Sequence, residues 1–286
     1  MPTLVLSHRH TPDTQLLWNA AISTGWDVVR SSWSLVPKVE DPVLYGEPLL
    51  MYNVADRLGV GLMEPPDGWL AWFHEPGLAK GWKVDPTRMR AFHERFIRRA
   101  MVQTKLKSAR FRRGPAFVKP AGDKAFPAMV YPNGSALAEA TYAWPEDMPI
   151  LMSKPVRFQT EYRFFMLDHK VVTGSIYMRD GDIAEGDGTW PCDPDEYAAA
   201  LGFANEIGEY LAPKDGLDGL LPPAVGLDVG VVEEDDGSTH MEMVEINPCW
   251  GAGLCNANPD DVLRVIERAT VKNLKQGPDA RWVKPR

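Results

Sequence analysis

From Ala116 onward the chain breaks into seven short apolar runs: Ala116 to Lys119, Ala128 to Tyr131, Ile150 to Met152, Tyr162 to Leu167, Val171 to Tyr177, Val225 to Val232 and Met241 to Ile246. Runs this short, rich in β-branched and aromatic residues and separated by turn formers, predict strands. Two longer stretches, Asp195 to Leu211 and Asp260 to Leu274, follow a proline and begin with acidic residues. Negative charge is favoured at a helix N-terminus, so both read as helices. Ahead of them, Leu4 to Leu6 and Asp27 to Arg30 read as strands around a helix that starts at Thr11-Pro12-Asp13 and runs through Ala21. That β-α-β opening predicts an α/β region before a strand-rich α+β remainder. The Pro-, Gly- and Trp-rich stretch from Glu64 to Trp82 is expected to link the two.

With 44% hydrophobic and 24% charged residues over 286 positions, the chain can bury a core, which excludes disordered and collagen-like classes. Its formal charge of -8 argues against whole-surface attraction to nucleic acid or anionic lipid. From Lys80 to Arg113, however, twelve Lys/Arg stand against Asp85 and Glu94, a local excess of ten positive charges. Pro86 to Lys105 has helical periodicity, with Met89, Phe92, Phe96 and Ile97 as a core stripe. The basic residues are expected to form a solvated helix face; the alternative is a docking surface for an anionic substrate or nucleic acid. No apolar run of about 18 residues and no signal-peptide pattern is present, which predicts a cytoplasmic protein without membrane partners. Three cysteines without CxxC spacing predict reduced thiols rather than disulfides or a zinc site.

Three segments carry chemistry. In Met241-Glu242-Met243-Val244-Glu245-Ile246-Asn247-Pro248, strand alternation puts Glu245 and Asn247 on one face. With Asp228 from Val225-Gly226-Leu227-Asp228-Val229-Gly230 they form a candidate oxygen site for Mg²⁺, which prefers hard donors and few protein ligands. In Phe117-Val118-Lys119-Pro120-Ala121-Gly122, Lys119 ends an apolar strand before a flexible turn and Lys124, so its ammonium is a candidate phosphate contact. Neither GxxxxGK[ST] nor GxGxxG occurs, which excludes a P-loop and a dinucleotide fingerprint. Alternation also puts Glu161 with Arg163 on one face, and Tyr177 with Arg179 on one face of the next strand, across an Asp168-His169 turn. A hairpin of this kind is expected to bring both arginines to one phosphoryl group; cross-strand pairing of Glu161 with an arginine is the alternative.

The order Lys119, Ser153 to Val156, Glu161-Tyr162-Arg163, Tyr177-x-Arg179, Asp228 and Glu245-Ile246-Asn247-Pro248 resembles the ATP-grasp superfamily, and within it the clade with two arginines and one lysine. The resemblance covers about the last 170 residues; Tyr45-Gly46-Glu47 and Leu62 to Leu70 resemble the clade's N-terminal region. It implies an ATP-grasp fold, with a Rossmann-like N-terminal region over residues 1–82, a small lobe over 83–156 and a C-terminal lobe over 157–286. By position, Lys119 and Lys124 would contact ATP phosphates. Ser153, Lys154 and Val156 would form the hinge beside adenine, with Glu161 also on the nucleotide side. Arg163 and Arg179 would hold the transferred phosphoryl group, and Asp228, Glu245 and Asn247 would bind Mg²⁺. Leu254-Cys255-Asn256 departs from the clade, whose members carry an aromatic residue and Gly-Cys-Asp there.

The implied reaction is ATP-dependent joining of a carboxylate to an amine through an acyl phosphate, on small-molecule or peptide substrates. Alternatives are a phosphotransferase of the same fold and a nucleotide-binding module without turnover. His8 and His10 are expected in solvent, Trp250 either beside the site or in the core, and Cys249 and Cys255 as buried, non-catalytic thiols.

Overall fold

A computed structural model describes residues 1–122, 124–234, 236–274 and 277–284. The chain begins with β1 (Thr3–Ser7), α1 (Pro12–Ser23), β2 (Asp27–Ser31) and β3 (Pro42–Tyr45). These strands form a parallel sheet in the order β2-β1-β3. Every residue of β1 is buried, as a strand covered on both faces requires. α1 starts where the sequence indicates because Thr11 accepts from the Thr14 N–H while the Thr14 hydroxyl accepts from the Thr11 N–H. This reciprocal cap satisfies two helix-end donors. After α2 (Pro48–Leu58) and the two-residue β4 (Gly61–Leu62), the expected linker is instead packed structure. It holds α3 (Trp69–His74), whose Trp69, Leu70, Ala71, Trp72 and Phe73 are all buried. Aromatic surface of that size is too costly to leave in water, so the stretch folds onto the core.

The single helix expected over Pro86 to Lys105 is corrected. α4 covers Pro86–Phe92, a π-turn covers His93–Ile97, and Arg98 then takes a left-handed conformation with φ 58°. The chain re-emerges as β5 (Val102–Lys105). Met89, Phe92, Phe96 and Ile97 are nevertheless all buried, since both helical turns face the same core. The small lobe continues with α5 (Leu106–Ala109), β6 (Ala116–Pro120), β7 (Met129–Tyr131), α6 (Gly134–Ala140) and β8 (Pro149–Ser153). Its antiparallel sheet has the order β5-β8-β6-β7 over a core of Leu106, Val118, Phe126, Leu137 and Ile150.

The second large sheet contains β9 (Phe158–Leu167), β10 (Lys170–Arg179), β11 (Asp182–Ile183), β12 (Ala224–Glu233) and β13 (Thr239–Asn247), in the order β11-β10-β9-β12-β13. Asp168 and His169 turn the β9-β10 hairpin with φ 47° and 68°, the positive pair a two-residue loop needs. α7 (Pro194–Leu211) covers one face and begins at Asp193, whose carboxylate accepts from the Asp195 and Glu196 N–H groups. Gly208 lets α7 reach the hairpin: a Cβ there would lie 2.1 Å from the His169 carbonyl oxygen. α8 (Pro259–Ala269) then returns to the first sheet and buries Val262, Leu263, Val265 and Ile266 in one cluster with Leu4, Leu6 and Leu17. Its C-terminal continuation, β14 (Thr270–Val271), pairs with β4. The end of the chain thus completes the core begun by its first residues, and the open face of the β9–β13 sheet meets the small lobe.

Candidate active site

Alternation along β9 buries Tyr162 and Phe164 against α7 and leaves Glu161 and Arg163 on the opposite face. Register places Arg163 opposite Asp228 on β12, and Asp228 opposite Glu245 on β13, so three side chains form one row across adjacent strands. Arg163 grips Asp228 with two bonds, Nε to Oδ1 at 2.8 Å and Nη2 to Oδ2 at 2.7 Å. Asp228 has no solvent exposure. Burial opposes the charge on Arg163, but the neighbouring carboxylate outweighs it and raises the guanidinium pKa. Asn247, two residues beyond Glu245 on the same face, donates from Nδ2 to Asp228 Oδ2 at 2.9 Å and to Glu245 Oε1 at 3.0 Å.

The small lobe adds the second cation. Lys119, near the end of β6, donates to Glu245 Oε2 at 2.6 Å. Burial by itself would raise the Glu245 carboxyl, yet the Lys119 charge and the bonds from Lys119 and Asn247 bring it down to about 2. Lys124 is exposed on the loop after β6, where its charge still favours ionised Glu245 and Asp228. Glu161 accepts from the Tyr177 hydroxyl at 2.7 Å, and the Arg163 guanidinium lies 4.6 Å from the Tyr177 ring centre. Burial, followed by the like charges of Asp228 and Glu245, pushes the Glu161 carboxyl upward.

A cavity of about 450 Å³ opens beside this row. Ser153, Lys154 and Val156 edge it on one side, and Glu161, Tyr177 and Glu245 on the other. Phe117, Met129, Val130 and Phe158 supply apolar wall, which suits a flat ring with a charged tail. Met129 and Val130 are 48% and 41% exposed because they face this open cleft. A larger groove of about 530 Å³ lies along α8, lined by Arg264, Arg268 and Lys272, and contains none of the residues marked in the sequence. Arg268 there is already paired with Asp279 at 2.7 Å.

Lys119, Arg163, Asp228, Glu245 and Asn247 are therefore gathered in one place, with Glu161, Ser153, Lys154 and Val156 around the adjoining cavity. The expectation that both arginines share a face is corrected by a β-bulge at Tyr177. Ile176 pairs with Tyr162 and Met178 pairs with Glu161, so the extra residue moves Arg179 opposite Thr160. Arg179 is exposed at the cleft edge, next to Asp180 and Gly181 of the cavity rim. A second bulge at Val244 puts Glu242 opposite Gly230. Arg99 fills this irregularity, donating to Glu242 Oε2 at 2.8 Å and to the Met243 and Val244 carbonyls at 2.9 Å each. Arg99 is only 5% exposed and lines the cavity, which corrects the reading of the basic stretch as a uniformly solvated face. Nothing in sequence distinguishes it from the basic residues around it.

Trp250 has no exposure, donates its indole N–H to the Met63 carbonyl at 2.8 Å, and is core rather than a wall of the site. Burial pushes the Cys249 and Cys255 thiols up to about 12 and about 11, against a nucleophilic role. His8 and His10 are exposed.

The model of an ATP-grasp domain family, family 2 of the clade named for two arginines and one lysine, matches residues 96–265. The chain belongs to that family. A comparison with curated proteins finds no match. Among solved structures, the ATP-grasp chain resembles a RimK domain protein ATP-grasp from Sphaerobacter thermophilus DSM 20745 at 15% identity and TM-score 0.46, over 93% of this chain and 98% of that one. It also resembles D-alanine–D-alanine ligase from Bacillus anthracis, at 12% identity and TM-score 0.48 over 94% and 97%. A third is the ATP-grasp ligase PsnB complexed with minimal precursor, at 12% identity and TM-score 0.44 over 92% and 97%.

Membership in the ATP-grasp family implies ATP binding. Among the described residues no three acidic, histidine or cysteine side chains converge as a metal centre. The donor set that is present still fits a hard divalent ion, since two carboxylates approach one amide. Turning that amide over would present Asn247 Oδ1 to both. No helix among the described residues is long and apolar enough to cross a membrane.

Proposed function

We propose that this ATP-grasp protein is an ATP-dependent, ADP-forming ligase that joins a carboxylate to an amine. The observation that carries the reading is the adjacency of Lys119, Arg163, Asp228, Glu245 and Asn247 at the base of the interlobe cavity. Two cations and two carboxylates on a rigid sheet are suited to binding a polyphosphate and its counter-ion, and offer electrostatic stabilisation without a covalent protein intermediate. In this reading the base lies against Phe117, Met129 and Val156 beside the Ser153–Lys154 hinge, and Lys119 and Lys124 receive the phosphates. Asp228, Glu245 and Asn247 would hold Mg²⁺, which supplies charge neutralisation to the phosphates when bound. Arg163 is the cation nearest the transferred group, and Arg179 at the rim is a second donor available to it.

A carboxylate oxygen of the first substrate attacks the γ-phosphorus and ADP leaves. The nitrogen of the second substrate then attacks the acyl carbon, phosphate leaves, and the amine gives up one proton. Glu161, with its raised carboxyl pKa, is the nearest group able to accept that proton.

The experiment is incubation of the protein with ATP, Mg²⁺ and a metabolite extract, followed by mass spectrometry. New amides formed in step with ADP, and lost in Glu245→Gln, are the expected result. A stable phosphorylated product would assign a phosphotransferase instead, and absence of ATP turnover would leave a binding module.

A further inference from the structure

On the far side of Arg163 from the nucleotide cavity, the N-terminal region contributes a carboxylate that the reading above does not use. Asp13, in the first turn of α1, accepts at Oδ2 from the Leu254 N–H at 3.2 Å and hydrogen-bonds the Tyr45 side chain. Tyr45 is buried and anchored by donation to the Ala252 carbonyl at 2.8 Å. The loop from Ala252 to Cys255 is thereby clipped between the first helix and the main sheet. Gly253 lies at its centre. A Cβ placed there would be 3.4 Å from Asp13 Oδ2, 3.7 Å from Cys255 Sγ and 4.0 Å from Arg163 Nη1. An anionic and a cationic group thus flank one point that the missing side chain leaves free.

The two charges differ in how well they are matched. Arg163 already has Asp228. Asp13 has no cation within ion-pair distance among the described residues, and burial pushes its carboxyl upward, with the Arg163 charge only a minor counterweight. A half-buried carboxylate bonded to neutral groups is stabilised by an arriving cation more than by any polar neutral group.

We infer that Asp13 determines specificity by holding the ammonium group of the acyl donor, so that the ligase activates amine-bearing carboxylic acids such as free amino acids. The donor's carboxylate then points at Arg163 and the γ-phosphate, with its ammonium at Asp13 and its backbone over Gly253. This inference rests on the ligase reading. It adds that the carboxylate substrate carries its own positive charge.

The test uses the full chain with ATP, Mg²⁺ and hydroxylamine, which traps acyl phosphates as hydroxamates. One arm receives an equimolar mixture of the twenty L-amino acids and D-alanine, and the other their N-acetyl derivatives. ADP and hydroxamate should form with the free amines and fall by about tenfold or more with the acetylated set, the discrimination expected when a buried charge loses its partner. For the responding amino acid, Asp13→Asn should raise KM about tenfold or more, with kcat and the KM for ATP little changed. Gly253→Ala, whose added atom meets nothing nearer than 3.4 Å, should raise the same KM and serves if Asp13→Asn fails to fold. Equal turnover of acetylated acids, or an unchanged KM in both variants, overturns the inference. So does absence of ADP with both mixtures while ATP and Mg²⁺ still protect the protein against heating. Loss of that protection would instead remove the ATP site on which the ligase reading depends.

Discussion

Lys119 Nζ on the small-lobe sheet lies 2.6 Å from Glu245 Oε2 on the large sheet, with only 18% and 26% of the two side chains exposed. The ion pair spans the two lobes at the proposed phosphate position, so an entering polyphosphate must take over Lys119 while a cation takes over Glu245. Nucleotide binding is therefore an exchange of partners in a site whose charges are already balanced.

Glu245→Gln should abolish metal-dependent ATP turnover, by about 10² or more, while the protein still folds, because an amide keeps the shape but not the charge. Lys119→Met should raise the KM for ATP by about tenfold or more. ADP release measured against ATP and Mg²⁺ concentration checks both, and turnover unchanged in Glu245→Gln would refute the assignment of that carboxylate.

Arg163 and Arg179 should differ. Arg163→Lys keeps a charge but loses the two-bond grip on Asp228, and is expected to lower kcat/KM by about 10². Arg179→Ala, on the far side of the Tyr177 bulge, should act mainly on the KM for ATP, by less than about tenfold. Steady-state kinetics on the two variants distinguish them; equal losses in kcat would mean that Arg179 reaches the transferred group despite its register.

Arg99 and Glu242 form an ion pair with side chains only 5% and 6% exposed. Arg99→Met strands the Glu242 charge and two bulge carbonyls, and should cost roughly 3–5 kcal/mol in urea unfolding. Changing Glu242→Met in the same chain should recover part of that loss, since no lone buried charge remains. A double variant less stable than Arg99→Met would contradict this account.

His93 gives stability a pH dependence. Its Nε2 lies 3.0 Å from the Arg99 carbonyl oxygen, so that nitrogen carries the proton. Burial lowers the His93 pKa; the Arg99 carbonyl and Glu94 oppose the shift, while His74 and the Arg99 charge add to it. The unfolded chain then takes up a proton near its ordinary value of about 6.5 before the folded chain does. The contribution is complete above that pH and is lost as pH falls through it toward the lowered folded value. Denaturant midpoints from pH 8 to pH 5 should fall less steeply in His93→Gln than in the parent, and parallel curves would refute the assignment.

The strands were legible because their signal is local. All seven runs from Ala116 to Ile246 became strands, and Asp228, Glu245 and Asn247 stand together because each follows period-two alternation beside a strand core. The helices over Pro194–Leu211 and Pro259–Ala269 were equally readable from Pro and acidic first turns. The Pro86–Lys105 periodicity, by contrast, concealed a π-turn and a reversal at Arg98, because apolar spacing reports which side chains are buried and not how the backbone joins them.

Residue types, their order and their alternation by themselves determined that this chain builds antiparallel sheets carrying acidic and basic side chains of ATP-grasp type. Tertiary structure alone decided that one bulge turns Arg179 away from Arg163, that Arg99 becomes a buried partner of Glu242, and that Asp13 and Gly253 face the same guanidinium. Alternation is a property of neighbours along the chain. A bulge depends on the partner strand, and convergence depends on packing between distant segments, neither of which a local pattern encodes.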